Sequence, residues 1–166
     1  MKHLSIDIET YSSVDITKSG LYKYVQSPDF QILLFAYSVD GEPVQIIDLA
    51  SGGFASCIPL WVIDAIKSPE WIKHAYNASF EWYCLSKYFR FTDSQSLNML
   101  PQWRCTMLHG LYCGYTAGLG ATGTALGLPQ DKQKLTTGKA LIKTFCTPCK
   151  PSRTNGNRTR TLPHHE

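Results

Sequence analysis

Two carboxylates one residue apart, Asp7 and Glu9, stand within the run Leu4-Ser5-Ile6-Asp7-Ile8-Glu9-Thr10. On a β-strand, residues two apart project from the same face, so this spacing sends Asp7 and Glu9 to one side of a sheet and Ile6 and Ile8 to the other. Acids held that close either repel until one keeps its proton, or share a divalent cation that keeps both ionised. The alternative is an ordinary strand with a solvated face. A third acid, Glu81, falls in the first turn of a predicted helix, on the stripe shared with Leu85 and Tyr88, and is directed toward the sheet rather than into water. The helix dipole alone accounts for an acid at a helix start. Burial without a partner is costly, however, and a cation shared with Asp7 and Glu9 would supply one. The expectation is that Asp7, Glu9 and Glu81 converge at one edge of the sheet.

Six cysteines are scattered without the framework of a small disulfide-stapled domain, which reads as reduced and mostly buried thiols. Only Cys146 and Cys149 have ligand spacing. A zinc site with His164 and His165 would put two adjacent histidines on one metal, which is not a standard arrangement. Charge is strongly asymmetric: residues 1–131 hold 8 basic and 12 acidic side chains and residues 132–166 hold 8 and 1, a balance of −4 against +7. A basic tail with Arg153, Arg158 and Arg160 beside an acidic body suits contact with a phosphate backbone, and equally suits a solvated, mobile loop.

These residues must be positioned by a frame that 166 residues can supply as one domain, burying about two thirds of its unfolded surface. Residues 3–9 read as a strand, and the turn formers between Tyr11 and Gly20 as a loop followed by an irregular region with Tyr22 and Tyr24. Gln31–Val39 reads as a long central strand, Asp40-Gly41 as a hairpin turn and Val44–Leu49 as the returning strand. Ile58–Lys67 has helical spacing, Trp71–Ala75 is a short strand and Ser79–Phe89 a helix. Trp103–Cys105 follows as a strand and Thr106–Cys113 as a helix. A Gly-rich stretch from Gly118 to Gly127 and a helix over Thr137–Phe145 complete the pattern. Three antiparallel strands followed by alternating helix and strand predict a mixed α/β sheet with helices on its faces. No apolar run reaches the ~18 residues of a membrane span and no signal-peptide region precedes the first strand, so the expected location is the cytoplasm.

With these segments in view, the chain resembles the 3′–5′ proofreading exonucleases of the DEDD group, more narrowly the exonuclease portion of family A DNA polymerases from phages and prophages. Asp7-Ile8-Glu9-Thr10 is similar to the first motif of that group, and His74-Ala75-Tyr76-Asn77-Ala78-Ser79-Phe80-Glu81 to its second. The segments Trp103-Arg104-Cys105-Thr106-Met107, Leu126-Gly127-Leu128-Pro129, Lys132-Gln133-Lys134-Leu135, Gly138-Lys139-Ala140-Leu141-Ile142 and the run from Phe145 to His165 extend the resemblance over nearly the whole chain.

The resemblance implies a ribonuclease-H-like mixed sheet with an antiparallel three-strand meander, and two-metal hydrolysis of phosphodiesters at DNA 3′ ends. Asp7, Glu9 and Glu81 would hold Mg²⁺ or Mn²⁺, ions that hard oxygen donors favour over zinc. Thr10, Tyr11, Asn77 and Phe80 would lie beside the single-stranded 3′ end, with Tyr76 also close in sequence; core packing is the other fate open to such aromatics. The setting implied is a bacterial or phage-infected cell, with a polymerase domain in a full-length relative and no membrane partner.

The sequence departs from the group in two ways. Glu81 stands where the group carries Asp, and the third motif, a helix with Tyr or His a few residues before a fourth carboxylate, is not found before Glu166. His164 and His165 cannot replace it, because no Asp follows them. Residues 1–149 are therefore expected to form a C-terminally incomplete exonuclease-like domain with little activity, and 150–166 a mobile basic tail. The competing readings are a nucleic-acid-binding fragment without catalysis and a ribonuclease of the same fold.

Overall fold

The computed structural model describes residues 1–52, 57–130, 133 and 136–162. The segments holding Lys132, Lys134 and Leu135, and Pro163 through Glu166 with His164 and His165, lie outside the described residues. Five strands, β1 (Lys2–Tyr11), β2 (Gln31–Val39), β3 (Gln45–Asp48), β4 (Trp71–Ala75) and β5 (Trp103–Cys105), form one sheet in the order β3-β2-β1-β4-β5. β1 runs antiparallel to β2, and β2 to β3, whereas β4 lies parallel to β1 and β5 parallel to β4. This is the mixed α/β sheet with an antiparallel meander that the sequence predicts. β1 is the central strand.

The meander turns where expected. Asp40 and Gly41 take positive φ angles of 50° and 84°, the geometry a two-residue hairpin needs, and Glu42 N–H closes the turn on the Val39 carbonyl at 2.8 Å. Asp40 also fastens the start of β1: its Oδ1 accepts from His3 N–H at 2.8 Å and its own N–H donates to the His3 carbonyl at 2.9 Å.

Among the described residues there are seven α-helices: α1 (Ile16–Val25), α2 (Leu60–Lys67), α3 (Ser79–Tyr88), α4 (Asp93–Met99), α5 (Thr106–Tyr112), α6 (Leu119–Ala125) and α7 (Thr136–Phe145). Three correct the sequence reading. Tyr11–Gly20 is not wholly loop, because Asp15 caps a helix by accepting from Thr17 N–H at 2.9 Å; that helix breaks at Gly20, where φ is 79°, and resumes through Tyr22 and Tyr24. The Gly-rich stretch contains α6, and α4 was not foreseen.

The core gathers on the face of β1 that carries Leu4, Ile6 and Ile8. Phe35 of β2 joins it there, with Val62, Ala65 and Ile66 of α2 and Cys84 and Leu85 of α3. The opposite face of β1, carrying Ser5 and Asp7, is exposed. Polar groups are also buried at the edge of this core. Lys73 of β4 is 0% exposed and its Nζ donates to the Ser68 carbonyl at 2.9 Å; burial pulls its ammonium down to about 8.

Candidate functional site

β1 delivers Asp7 and Glu9 as strand alternation requires, Asp7 exposed and Glu9 half-buried. Just past Glu9 the ladder slips: Glu9 pairs with Leu34 but Thr10 with Ile32, a bulge that places an extra residue, Leu33, on β2. Bulges re-aim side chains, and the extra residue lines the same cleft as the acids. Asp7, Glu9, Leu33 and Leu34 line a cleft of about 600 Å³ together with Leu141, Ile142 and Phe145 of α7, Cys146 just past it and Arg160 of the tail.

Glu81 does not line that cleft. It lies in the first turn of α3, 3% exposed, with Cys84 and Leu85 buried on the same stripe as the helical spacing demands. Tyr88, expected on that stripe, is 40% exposed. Oε2 of Glu81 has no hydrogen-bond partner among the described residues. Burial pushes its carboxyl up to about 8; its own backbone N–H acts against this and the charge of Asp7 adds to it. Glu81 is thus within electrostatic reach of Asp7. Even so, no three His, Cys, Asp or Glu side chains among the described residues come together as a ready ligand set for one ion.

The donor chemistry fits a hard cation. All three groups are carboxylates, and a buried carboxylate oxygen without a hydrogen-bond partner is the kind of atom a cation would satisfy. Asp7, Glu9 and Glu81 are the residues that would hold such an ion.

Cys146 enters the site unforeseen. Its thiol donates to Glu9 Oε2 at 3.7 Å, and burial, with the charge of Glu9 and that hydrogen bond, pushes it up to about 12. It therefore stays a thiol. Behind it, Thr10 Oγ1 and the Tyr24 hydroxyl share a buried hydrogen bond of 2.8 Å, and burial pushes Tyr24 up to about 12 as well. Ser12 Oγ adds a bond to the Tyr24 carbonyl at 3.0 Å. α1 is in this way tied to the end of β1 that carries Glu9. The Ser12 and Asp15 positions that looked like loop formers serve as anchors.

The other sequence candidates fall in different surroundings. Asn77 takes a φ of 67° and makes the turn from β4 into α3, its Oδ1 accepting from Ser79 Oγ at 3.2 Å. Phe80 is half-buried against the core, its ring 6.3 Å from that of Tyr24. The Tyr76 hydroxyl donates to the Ala117 carbonyl at 3.0 Å, which binds the same turn to the start of α6. Thr10 and Tyr11 are both buried.

The described part of the tail has a definite path. Cys149 N–H donates to the Thr159 carbonyl at 2.9 Å, closing a loop. Inside it, Ser152 and Asn155 form a reciprocal cap over a single 3₁₀ turn, Arg153–Asn155, and the Asn155 amide donates to the Lys150 carbonyl at 2.9 Å. Arg153 is exposed and Arg158 half-buried. Arg160 leaves the loop with its guanidinium 3.9 Å from the centroid of the Tyr11 ring and its Nη2 donating to Gln31 Oε1 at 2.8 Å.

This geometry sits in a chain with a clear relative. Over 167 aligned residues, covering all of this chain, it is 50% identical to a DNA polymerase of Bacillus phage SP02. This chain is related to part of a phage DNA polymerase. It spans about a quarter of that relative, 24% of its length. No protein-family model matches the chain. Among solved structures, the yeast NOT1 MIF4G domain co-crystallized with CAF1 contains a chain that matches with a TM-score of 0.53 over 84% of this chain and 75% of that one. Sequence identity there is 12%, so the likeness is one of fold alone. Among the described residues no helix is long and apolar enough to cross a membrane.

Proposed function

We propose that this chain is a 3′–5′ exonuclease region of the proofreading type, with a ribonuclease-H-like fold, that hydrolyses phosphodiesters at single-stranded DNA 3′ ends. The observation that carries the reading is the placement of three carboxylates. Asp7 and Glu9 line a cleft from the central strand, and Glu81 lies buried within reach of Asp7 with an oxygen lacking a hydrogen-bond partner among the described residues. The sheet order, with an antiparallel meander on one side of β1 and parallel strands on the other, supports the fold. The kinship with a phage polymerase supports the setting, including a polymerase domain in a longer relative.

Asp7, Glu9 and Glu81 would hold Mg²⁺ or Mn²⁺. Such ions make water a competent nucleophile at neutral pH and offset the charge on the departing 3′ oxygen. The chain's own groups do the rest. Glu81 would carry its negative charge when such an ion is bound, because its raised affinity for a proton comes from burial and from Asp7, both of which a cation offsets. The Cys146 thiol restrains the carboxylate of Glu9, and the apolar side chains of α7 limit water around it.

The test is direct. Single-stranded DNA labelled at its 5′ end, incubated with the chain and Mn²⁺, is expected to shorten stepwise from the 3′ end at the low rate expected of this chain, and Asp7→Ala to stop it. A chain that neither cuts nor binds DNA would overturn the reading. Binding without cutting would favour the second reading, a non-catalytic nucleic-acid-binding region. That alternative draws on the lack of a ready three-ligand set among the described residues.

A further inference from the structure

We propose that Arg160 grips the phosphodiester presented to Asp7 and Glu9, and that the loop closed between Cys149 and Thr159 is the device that delivers it. The inference rests on the nuclease reading and selects one of the three tail arginines. Arg153 is exposed on the 3₁₀ turn, whereas Arg160 lines the cleft that holds both acids of β1.

A phosphodiester entering that cleft meets two carboxylates and is repelled unless a cationic group opposes them. Arg160 is positioned for this by contacts on two strands. Its guanidinium lies 3.9 Å from the centroid of the Tyr11 ring, a platform only 3% exposed, and one N–H is fixed by Gln31 Oε1 at 2.8 Å. Its Nε is buried and has no hydrogen-bond partner among the described residues. A guanidinium presents five N–H donors in a rigid fork that matches two phosphate oxygens. Stacking on a ring and one anchoring bond leave that fork oriented with donors to spare. The loop explains how the geometry is kept. With Gly156 and Asn157 at φ 66° and 58° and the Ser152–Asn155 cap, the chain doubles back so that Arg160 returns to β1. A freely swinging arginine would supply charge without orientation.

The test is a cycle of two changes, one on each partner, read by fluorescence anisotropy of a 5′-labelled oligodeoxynucleotide in Ca²⁺. One oligonucleotide is ordinary and the other carries an uncharged methylphosphonate at its 3′-terminal linkage. For the unaltered chain, the neutral linkage is expected to weaken binding about tenfold, the scale of a hydrogen bond to a charged group. Arg160→Ala is expected to weaken the ordinary oligonucleotide by a similar factor and the neutral one by less than about twofold, so that the two losses are not additive. Arg160→Lys, which keeps the charge but not the fork, recovers part of the loss, and it carries the cycle if the alanine variant does not fold.

Equal loss on both oligonucleotides would overturn the proposal, because Arg160 would then act through structure or general charge. An unaltered chain indifferent to the neutral linkage would overturn it too, while leaving the hydrolysis assay to decide the nuclease reading. A chain that binds neither oligonucleotide would remove both.

Discussion

The thiol of Cys146, one residue past the end of α7, donates to Oε2 of Glu9 on the central strand across 3.7 Å. Residues far apart in the chain are joined there by the weakest of side-chain donors. Because burial and Glu9 push this thiol up to about 12, it holds almost no thiolate at pH 8. Iodoacetamide at that pH is expected to modify the exposed Cys57 and Cys113 first, with Cys146 at least about a hundredfold slower. Peptide mapping over time checks this, and labelling of Cys146 as fast as Cys113 would refute the contact.

Glu81 makes stability depend on pH. Its folded value of about 8 lies above the ordinary 4.5, so its stabilising contribution is complete below pH 4.5 and is lost as pH rises through 8. Each unit of that interval is worth about 1.4 kcal/mol at most. Urea unfolding should show the unaltered chain losing stability between pH 5 and 8 relative to Glu81→Gln, by a few kcal/mol. Mn²⁺ at pH 8 should then stabilise the unaltered chain more than the variant. Parallel pH profiles for the two proteins would disprove the assignment.

Lys73 acts in the opposite sense. Its folded value is lowered to about 8, so between pH 8 and the ordinary 10.5 the unfolded chain binds more protons and stability from this group rises with pH. Lys73→Met keeps the stem and removes the charge. The variant is expected to be more stable by about 1–3 kcal/mol at pH 7, a margin that shrinks toward pH 10. A margin that widens with pH would contradict the reading.

The Thr10–Tyr24 pair is expected to behave as a unit. Tyr24→Phe leaves the buried Thr10 hydroxyl without its 2.8 Å partner and should cost about 1–3 kcal/mol. Adding Thr10→Val to Tyr24→Phe should cost less than the two changes measured separately. Strict additivity in urea melts would show that the bond contributes little.

Strands that alternate could be read from the chain: Gln31–Val39, Trp71–Ala75 and Trp103–Cys105 form as predicted, and β1 sends its two acids to one side. Helices made of small and polar residues could not. In α1, Thr17, Ser19 and Gly20 resemble a loop by composition, and only the cap at Asp15 and the later packing of Tyr24 and Val25 make it helical. α4 did carry a signal, the reciprocal cap of Thr92 and Gln95, that spacing alone would have revealed. At the site, the Cys146–Glu9 and Arg160–Tyr11 contacts depend on tertiary closure, which local periodicity does not encode.

The central position of β1 also bears on how the molecule assembles. β1 leaves the ribosome before the strands it pairs with; its antiparallel partner β2 follows within a few tens of residues, but its parallel partner β4 begins only at Trp71. Short-range pairing closes faster than long-range pairing, so the meander should form while the other flank of β1 is still an open strand edge. Glu81, Cys146 and Arg160 all arrive later than the two acids they surround. A nascent chain stalled before α3 would therefore hold Asp7 and Glu9 in place with none of these companions, so the surroundings of the two acids are completed well after the strand that carries them.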